Sequence, residues 1–192
     1  DWERLPAGQV ERCPDGRFGL AWVVPAPSTW MEVAVCYPYG SGELDALCKD
    51  TKGYWRRDTV GVSLAGRPLV RLSNGPGREG DSRPGIYVVA RQHSGEVPGS
   101  WLLDGFLRRI AEMGADAPLV WAVPFVNVDG VEQGDYGKDN FPWDLNRAWG
   151  EPPMRHETLV LRQDFTRWKA RCRPFMALDL HGPGLCEGEG IY

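Results

Sequence analysis

In the second half of the chain, short apolar runs alternate with longer amphipathic stretches. Three runs are nearly continuous in apolar side chains, as strands buried on both faces are: residues 85–91, 118–125 and 174–181. Residues 97–113 and 155–171 place apolar side chains at helical spacing, and 127–150 is predicted to be a long loop. Strand, helix, strand, loop, helix and strand in this order predict an α/β fold, with a largely parallel sheet covered by helices.

The first part of the chain has a different pattern, typical of β structure. Residues 17–24 and 31–37 alternate in part between apolar and polar positions and are predicted to be strands. After a turn-rich break, a short helix is predicted at 42–50. We therefore assign residues 1–45 to the end of a small N-terminal β module and residues 46–192 to the main domain.

A hairpin is predicted at the start of the main domain, with strands at 59–64 and 67–72 joined through Ala65 and Gly66. The loop after it, 73–80, has the spacing Gly-x-Gly-x-x-Gly, which also occurs in dinucleotide-binding turns. A proline stands inside this loop and no helical pattern follows it, so we reject the dinucleotide interpretation.

Length and charge restrict the possible partners. The 192 residues suffice for one domain with a sizeable core. The net charge of −4 argues against a nucleic-acid or membrane-surface partner, because both require a basic surface. No apolar run approaches the length of a transmembrane helix, and Asp1–Arg4 lacks the pattern of a signal peptide.

The cysteines indicate a reducing compartment. Their number is odd and no two of them form a Cys-x-x-Cys pair: Cys13, Cys36, Cys48, Cys172 and Cys186. Such a set is typical of reduced thiols rather than of a disulfide framework, so we expect a cytoplasmic protein.

The candidate chemistry lies at the ends of two predicted strands. His93 and Glu96 follow the run at 85–91, and His181 ends the run at 174–181. Two imidazoles and a carboxylate form the ligand set of a catalytic zinc site with one position left open. Taken alone, the first pair is also consistent with a loop histidine and a glutamate at a helix N-terminus. The third histidine, His156, begins a polar helix and is predicted to be exposed.

Four motifs in one order strengthen the metal interpretation. They are Ala-Arg-Gln-His-Ser-Gly-Glu at 90–96, Pro-Phe-Val-Asn-Val-Asp-Gly-Val at 124–131, Asp-Leu-Asn-Arg at 144–147 and Asp-Leu-His-Gly at 179–182. Together they resemble the zinc carboxypeptidase family, in the branch of the cytosolic carboxypeptidases and their bacterial relatives. The resemblance implies a mixed, largely parallel sheet with flanking helices. It also implies zinc-dependent removal of C-terminal amino acids from a peptide or protein substrate.

The resemblance assigns roles to individual residues. His93, Glu96 and His181 would be the zinc ligands, leaving the fourth position for water. Asp144 would accept a hydrogen bond from the other ring nitrogen of His93 and so fix its tautomer.

Binding of the substrate is implied for the residues that follow Asp144. Asn146 and Arg147 would hold the terminal carboxylate, since a guanidinium binds a carboxylate through two hydrogen bonds. The alternative for Arg147 is an ordinary surface ion pair. The family usually has an arginine shortly before this pair to stabilise the oxyanion, and here Lys138 is the available substitute. The alternative for Lys138 is a solvated loop lysine.

The general base of the family is a glutamate on a later strand, well beyond the last zinc histidine. Glu187 and Glu189 lie on the loop that leaves His181, so neither is assigned this role, and the base is expected outside residues 1–192. The family often has a cis peptide directly after that histidine, which predicts a cis Gly182–Pro183 bond.

Two other functions remain compatible with these residues. The same fold supports amidases or deacylases of acylated amino acids. A non-catalytic domain that binds zinc or a peptide is the alternative from a different class.

Overall fold

The computed structural model of the chain describes residues 2–5, 8–23, 30–34, 36–138 and 143–182. The chain divides into two compact units, Asp1–Tyr37 and Pro38–Tyr192. In the first unit, β1 (Gln9–Arg12) pairs antiparallel with β2 (Phe18–Ala21). That this unit is the end of a larger β module stays a prediction.

The two strands predicted for the first unit have different outcomes. β2 lies within the predicted strand 17–24 and confirms it. The prediction at 31–37 is wrong for the described residues 31–34, 36 and 37, which belong to no strand. The apolar side chains of Met31 and Val33 are largely exposed there, so their alternation reflects no buried face.

Five strands and four α-helices are described in the second unit. The strands are β3 (Arg56–Val62), β4 (Pro68–Ser73), β5 (Pro84–Ala90), β6 (Leu119–Val123) and β7 (Arg173–Leu180). The helices are α1 (Ser41–Asp50), α2 (Pro98–Met113), α3 (Val128–Gln133) and α4 (His156–Ala170). Single 3₁₀ turns occupy Gly114–Asp116 and Leu145–Arg147. No helix among the described residues is long and apolar enough to cross a membrane.

Helix α1 belongs to the second unit. Leu44 and Leu47 are buried on its inner side and join the core that contains β5 and α2. The division drawn from the sequence, between residues 45 and 46, therefore falls inside a helix, whereas the two units separate after Tyr37.

The five strands form one mixed sheet in the order β3-β4-β6-β5-β7. β3 pairs antiparallel with β4 and β4 with β6, while β5 runs parallel to both β6 and β7. β3 and β4 are antiparallel because a short hairpin joins them. The parallel pairs of β5 with β6 and β7 are joined by helical crossovers. The predicted α/β fold with a mixed sheet and flanking helices is confirmed.

Strand β5 is covered on both faces, as its continuous apolar run predicted. Ile86, Val88 and Ala90 pack toward α1 and α2. Tyr87 and Val89 point to the other face, where they share a core with Leu161 and Trp168 of α4. Successive side chains of a strand point to opposite faces, so this alternation divides the core into two layers.

The connections of β5 create a crevice at one end of the sheet. The chain leaves β5, crosses through α2 on one face to β6, and returns through α4 on the other face to β7. Because β6 and β7 lie on opposite sides of β5, the crossovers diverge at this strand. In open α/β sheets, ligands bind at the carboxyl ends of the strands where the crossovers diverge.

Helix α3 lies inside the segment predicted to be one long loop. Its six residues carry too short an apolar pattern to be recognised as a helix. Local capping explains it, since the side chain of Asn127 accepts a hydrogen bond from the Gly130 N–H. Gly134 ends the helix in the left-handed region, at φ 76°.

Asp129 joins α3 to the β3–β4 hairpin. Its carboxylate accepts hydrogen bonds from the Ser63 hydroxyl at 2.7 Å, the Ala65 N–H at 3.0 Å and the Arg67 guanidinium at 2.9 Å. Burial raises the pKa of Asp129, but these three donors outweigh it and hold the pKa below its ordinary value. The carboxylate is therefore favoured in the folded state.

We expect Asp129→Asn to lower the free energy of unfolding by about 1–2 kcal/mol at neutral pH, because the charged acceptor of three donors is lost. The folded-state pKa is depressed, so this contribution is present above about pH 4 and disappears as the pH falls through that pKa. Denaturant unfolding at several pH values measures it. Glu132→Gln, on the exposed side of the same helix, is the control. A difference between wild type and Asp129→Asn that grows toward acid pH would contradict the assignment.

Candidate metal centre

The three candidate ligands lie at the carboxyl ends of two paired parallel strands. The register of β5 with β7 places Ala90 beside Leu180, the last residue of each strand. His181 directly follows the end of β7, and His93 comes three residues after the end of β5. The pairing of β5 with β7 thus brings together residues that are far apart in the sequence.

Arg91 turns the chain out of β5 toward His93. Its φ of 61° lies in the left-handed region, which a residue with a β-carbon rarely adopts. Its side chain is buried and donates hydrogen bonds to the carbonyls of Ser94 and Tyr39 and to the hydroxyl of Ser100. These acceptors come from three separate segments, so they hold the guanidinium and the strained backbone in place.

The side chains of His93, Glu96 and His181 converge. Nδ1 of His93 lies 2.8 Å from Oε1 of Glu96, and Nδ1 of His181 lies 2.6 Å from Oε2 of the same carboxylate. One potential ligand atom from each residue lies within 4.8 Å of the others. His93 and Glu96 are buried, and His181 remains 30% exposed, so the cluster opens to solvent on one side.

This donor set fits zinc. Two imidazole nitrogens and a carboxylate oxygen are the ligand types of hydrolytic zinc sites, and the exposed side leaves room for a fourth ligand. Both histidines present the same nitrogen to the cluster, Nδ1, which leaves Nε2 of each ring for a hydrogen bond outside it.

A carboxylate lies beside the outer nitrogen of each imidazole. Nε2 of His93 lies 3.1 Å from Oδ1 of Asp144, and Nε2 of His181 lies 3.1 Å from Oδ2 of Asp179. Such contacts select the tautomer and orient the ring of a metal-binding histidine. Asp144 was proposed from the sequence, whereas Asp179 was missed as a partner. Its spacing of two residues from His181 at a strand end was the available signal, since such residues share one face.

Asp179 is itself held by a side chain from the loop after β5. Gln92 donates to the Asp179 carboxylate through Nε2 and accepts a hydrogen bond from the Trp149 indole at 2.7 Å. The three residues come from different segments, and they connect the His181 ring to the loop that carries His93.

The electrostatics of the cluster favour charged forms without a metal. Burial raises the pKa of Glu96, but hydrogen bonds from His181 and His93 outweigh it and hold the pKa well below its ordinary value. The hydrogen bonds to Asp179 and then to Glu96 raise the pKa of His181 to about 10. A metal at His181 would therefore replace a proton.

Asn146 and Arg147 lie in a 3₁₀ turn directly after Asp144. The Asp144 carboxylate caps this turn by accepting a hydrogen bond from the Asn146 N–H at 2.8 Å. Asn146 is half-buried, while Arg147 is exposed and, among the described residues, its side chain donates only to the neighbouring Asn146 carbonyl, at 3.2 Å. The buried Arg155 supports the segment by donating to the Trp143 carbonyl at 2.9 Å. The structure thus brings Asp144 to the cluster and directs Arg147 toward solvent.

Lys138 lies beside the cluster. Its Nζ is 3.7 Å from Oε1 of Glu96. The loop before it packs tightly against the His93–Glu96 loop, with the Gly95 N–H donating to the Tyr136 carbonyl at 2.9 Å. Gly137 allows this approach, since its φ is 98° and a β-carbon there would lie 2.6 Å from the Ser94 nitrogen. This geometry places Lys138 beside the candidate site, and its role there stays a prediction.

The remaining sequence-based candidates lie elsewhere or cannot be placed. His156 is exposed at the start of α4, as predicted. Glu187, Glu189 and the Gly182–Pro183 bond lie outside the described residues. No disulfide joins the cysteines in the part of the chain that the structure describes.

Known proteins share the sequence and fold of this chain. Residues 42–152 match the model of the family described as zinc carboxypeptidase. Mouse "cytosolic carboxypeptidase 6" is 33% identical over 178 residues, which cover 82% of this chain and 33% of the mouse protein. The chain thus spans about a third of the length of this curated relative.

Solved structures agree with this result. A metallo-carboxypeptidase from Burkholderia cenocepacia matches with a TM-score of 0.62 and 25% identity, over 76% of this chain and 42% of that one. One from Pseudomonas aeruginosa, solved in complex with (2-guanidinoethylmercapto)succinic acid, matches with a TM-score of 0.60 and 28% identity, over 76% and 40% of the two chains. With the family model matching more than half of its residues, this chain belongs to the zinc carboxypeptidase family.

Proposed function

We propose that the protein hydrolyses C-terminal amino acids from peptides with zinc as its metal. The observation that carries this proposal is the convergence of His93, Glu96 and His181 at the ends of β5 and β7. Family membership supports the reaction type, and zinc is the metal of the family. Because the chain spans about a third of its curated relatives, the activity of the whole protein is part of the proposal.

The three ligands would hold the metal through Nδ1 of each histidine and the Glu96 carboxylate. Bound there, zinc lowers the pKa of a coordinated water and polarises the carbonyl that is attacked. Asp144 and Asp179 keep each imidazole in the tautomer whose Nδ1 is available as a ligand. The protein thus supplies a rigid site with one side open to the substrate.

Binding of the substrate terminus is assigned to Asn146 and Arg147. The Arg147 guanidinium is exposed next to Asp144, which itself contacts the first ligand. A free terminal carboxylate would receive two parallel hydrogen bonds from this guanidinium. Binding of the terminal carboxylate at Arg147 would place the scissile carbonyl of the last peptide bond near the metal.

Lys138 is proposed to stabilise the oxyanion. Its ammonium group already lies within 4 Å of the Glu96 carboxylate, so it adds positive charge on the side of the metal centre. A lysine is less directional than the arginine usual in the family, but its charge acts on the same developing anion. The general base is proposed to lie outside residues 1–192.

The partner and the location follow from the same assignment. The substrate class is a peptide or protein with a free C-terminus, and a relative named as cytosolic supports a cytoplasmic location. Neither inference identifies which C-terminal amino acid is removed.

We expect the purified protein to bind one zinc ion per chain and His181→Ala to lose it, because one of three protein ligands is removed. Metal analysis after dialysis against a weak chelator measures the stoichiometry. His156→Ala is the matched control, since it removes the exposed histidine of α4. Equal zinc content in both variants would contradict the site.

Asp144→Asn should weaken zinc binding by about 10- to 100-fold, because the amide no longer fixes the tautomer of His93 as a carboxylate does. Competition with a fluorescent zinc chelator gives the affinity. Asp135→Asn, an exposed residue of the preceding loop, controls for the loss of one charge. An unchanged affinity in Asp144→Asn would remove this residue from the site.

Arg147→Ala should weaken the binding of a peptide with a free C-terminus at least about tenfold, because two charge-assisted hydrogen bonds are lost. The same peptide with an amidated C-terminus should bind both proteins equally weakly. Titration of the zinc-loaded protein and release of the terminal amino acid provide two readouts. Arg162→Ala, which removes a half-buried arginine of α4 that pairs with Glu151, is the control. An equal loss for both peptides would favour an amidase or deacylase over a carboxypeptidase.

A further inference from the structure

A cavity lies on the face of the sheet that α4 covers. It has a volume of about 320 Å³ and is bordered by β3, β4, β6 and the second half of α4. Its ionisable wall residues are four arginines and two aspartates: Arg56, Arg71, Arg167, Arg171, Asp58 and Asp164. They give the wall a formal charge of +2, in a chain whose net charge is −4.

This cavity is separate from the metal centre. Two of its wall residues, Pro76 and Arg171, precede β5 and β7, and so they lie toward the amino ends of these strands. The metal-centre residues follow the carboxyl ends of the same strands. A ligand in the cavity would therefore lie at a different end of the parallel strands from the candidate zinc site.

Both aspartates already form ion pairs with Arg71. The Arg71 guanidinium lies 2.9 Å from Asp58 Oδ2 and 2.5 Å from Asp164 Oδ1, and it stacks on the Trp121 ring at 3.6 Å. Its Nε is buried and has no hydrogen-bond partner among the described residues. Arg56 also pairs with Asp58, at 2.8 Å. The two arginines and the two aspartates thus form a floor with no net formal charge, in which one N–H donor of Arg71 is unused.

The positive charge that remains comes from the end of α4. Arg167 forms no hydrogen bond and no close ion pair with any residue in the described ranges, although its charge acts on Asp164 at longer range. Within the described ranges, the Arg171 side chain makes one hydrogen bond, a long one of 3.5 Å to the Pro76 carbonyl. The two are four residues apart, so they project from the same side of the helix end into the cavity.

The position of these arginines also suits the helix dipole, which favours cations in the last turn. Lys169 has the same position relative to the dipole and the same charge, but it does not line the cavity. The dipole alone therefore accounts for a basic last turn, and it leaves the direction of Arg167 and Arg171 unexplained.

We propose that this cavity binds the phosphate group of a small phosphorylated molecule. Guanidinium groups bind phosphate oxygens through paired hydrogen bonds, and two of them face the same space here. A phosphate monoester carries about two negative charges near pH 7, which matches the excess charge of the wall. The volume is at the lower end for ligand pockets, so the bound molecule is small.

The test is calorimetric titration with inorganic phosphate and with glycerol phosphate, at constant ionic strength adjusted with sodium chloride. Saturable binding is expected, and Arg167→Ala and Arg171→Ala should each weaken it at least about tenfold. Lys169→Ala removes the same charge from the same turn and should leave the affinity unchanged. Arg71 is left intact because its ion pairs support the fold, and thermal melts confirm that each variant is folded.

Four results would overturn the proposal. One is the absence of saturable phosphate binding to the wild-type protein. Another is an equal loss in Lys169→Ala, which would indicate a general effect of charge. The third is succinate binding as tightly as phosphate, which would indicate a dicarboxylate site. Each titration is carried out on zinc-loaded and chelator-treated protein, because phosphate binding that disappears with the metal belongs to the metal centre and also contradicts the proposal.

Discussion

The Glu96 carboxylate is the contact on which the candidate site depends. One of its oxygens lies beside His93 in the loop after β5, and the other lies beside His181 at the end of β7, where it also accepts from the Gly182 N–H at 3.2 Å. A single buried side chain thus joins two segments that are 85 residues apart. Its charge is tolerated because every neighbour just named donates to it or can carry a proton.

Residues from several segments around Glu96 hold the two histidines in this arrangement. Arg91 fixes the start of the loop, Gln92 reaches across to Asp179, and Gly137 admits the neighbouring loop at close range. Because these contacts come from different elements, the positions of the two histidines depend on packing of the whole parallel part of the sheet. A site built on strand ends is more precisely placed than one built on a long loop alone.

The features that were predictable from the sequence are those encoded locally. The continuous run at β5 and the helical spacing of α2 identified a covered sheet, and the four motifs identified the residues of the candidate metal centre as a set. Helix α3 was missed because its signal is a cap at Asn127 rather than an apolar face. The left-handed Arg91 was not predictable, since nothing in its neighbours requires it. It is stabilised by acceptors at Tyr39, Ser94 and Ser100 that only the folded chain brings together.

Strand β7 occupies one edge of the described sheet and pairs only with β5, and most of its side chains are exposed. His181 stands at the end of this strand, so a metal held there and by the loop after β5 would cross-link the ends of two neighbouring strands. Metal occupancy and the hydrogen-exchange protection of β7 are then coupled by mass action, because an ion that binds only the folded arrangement stabilises it.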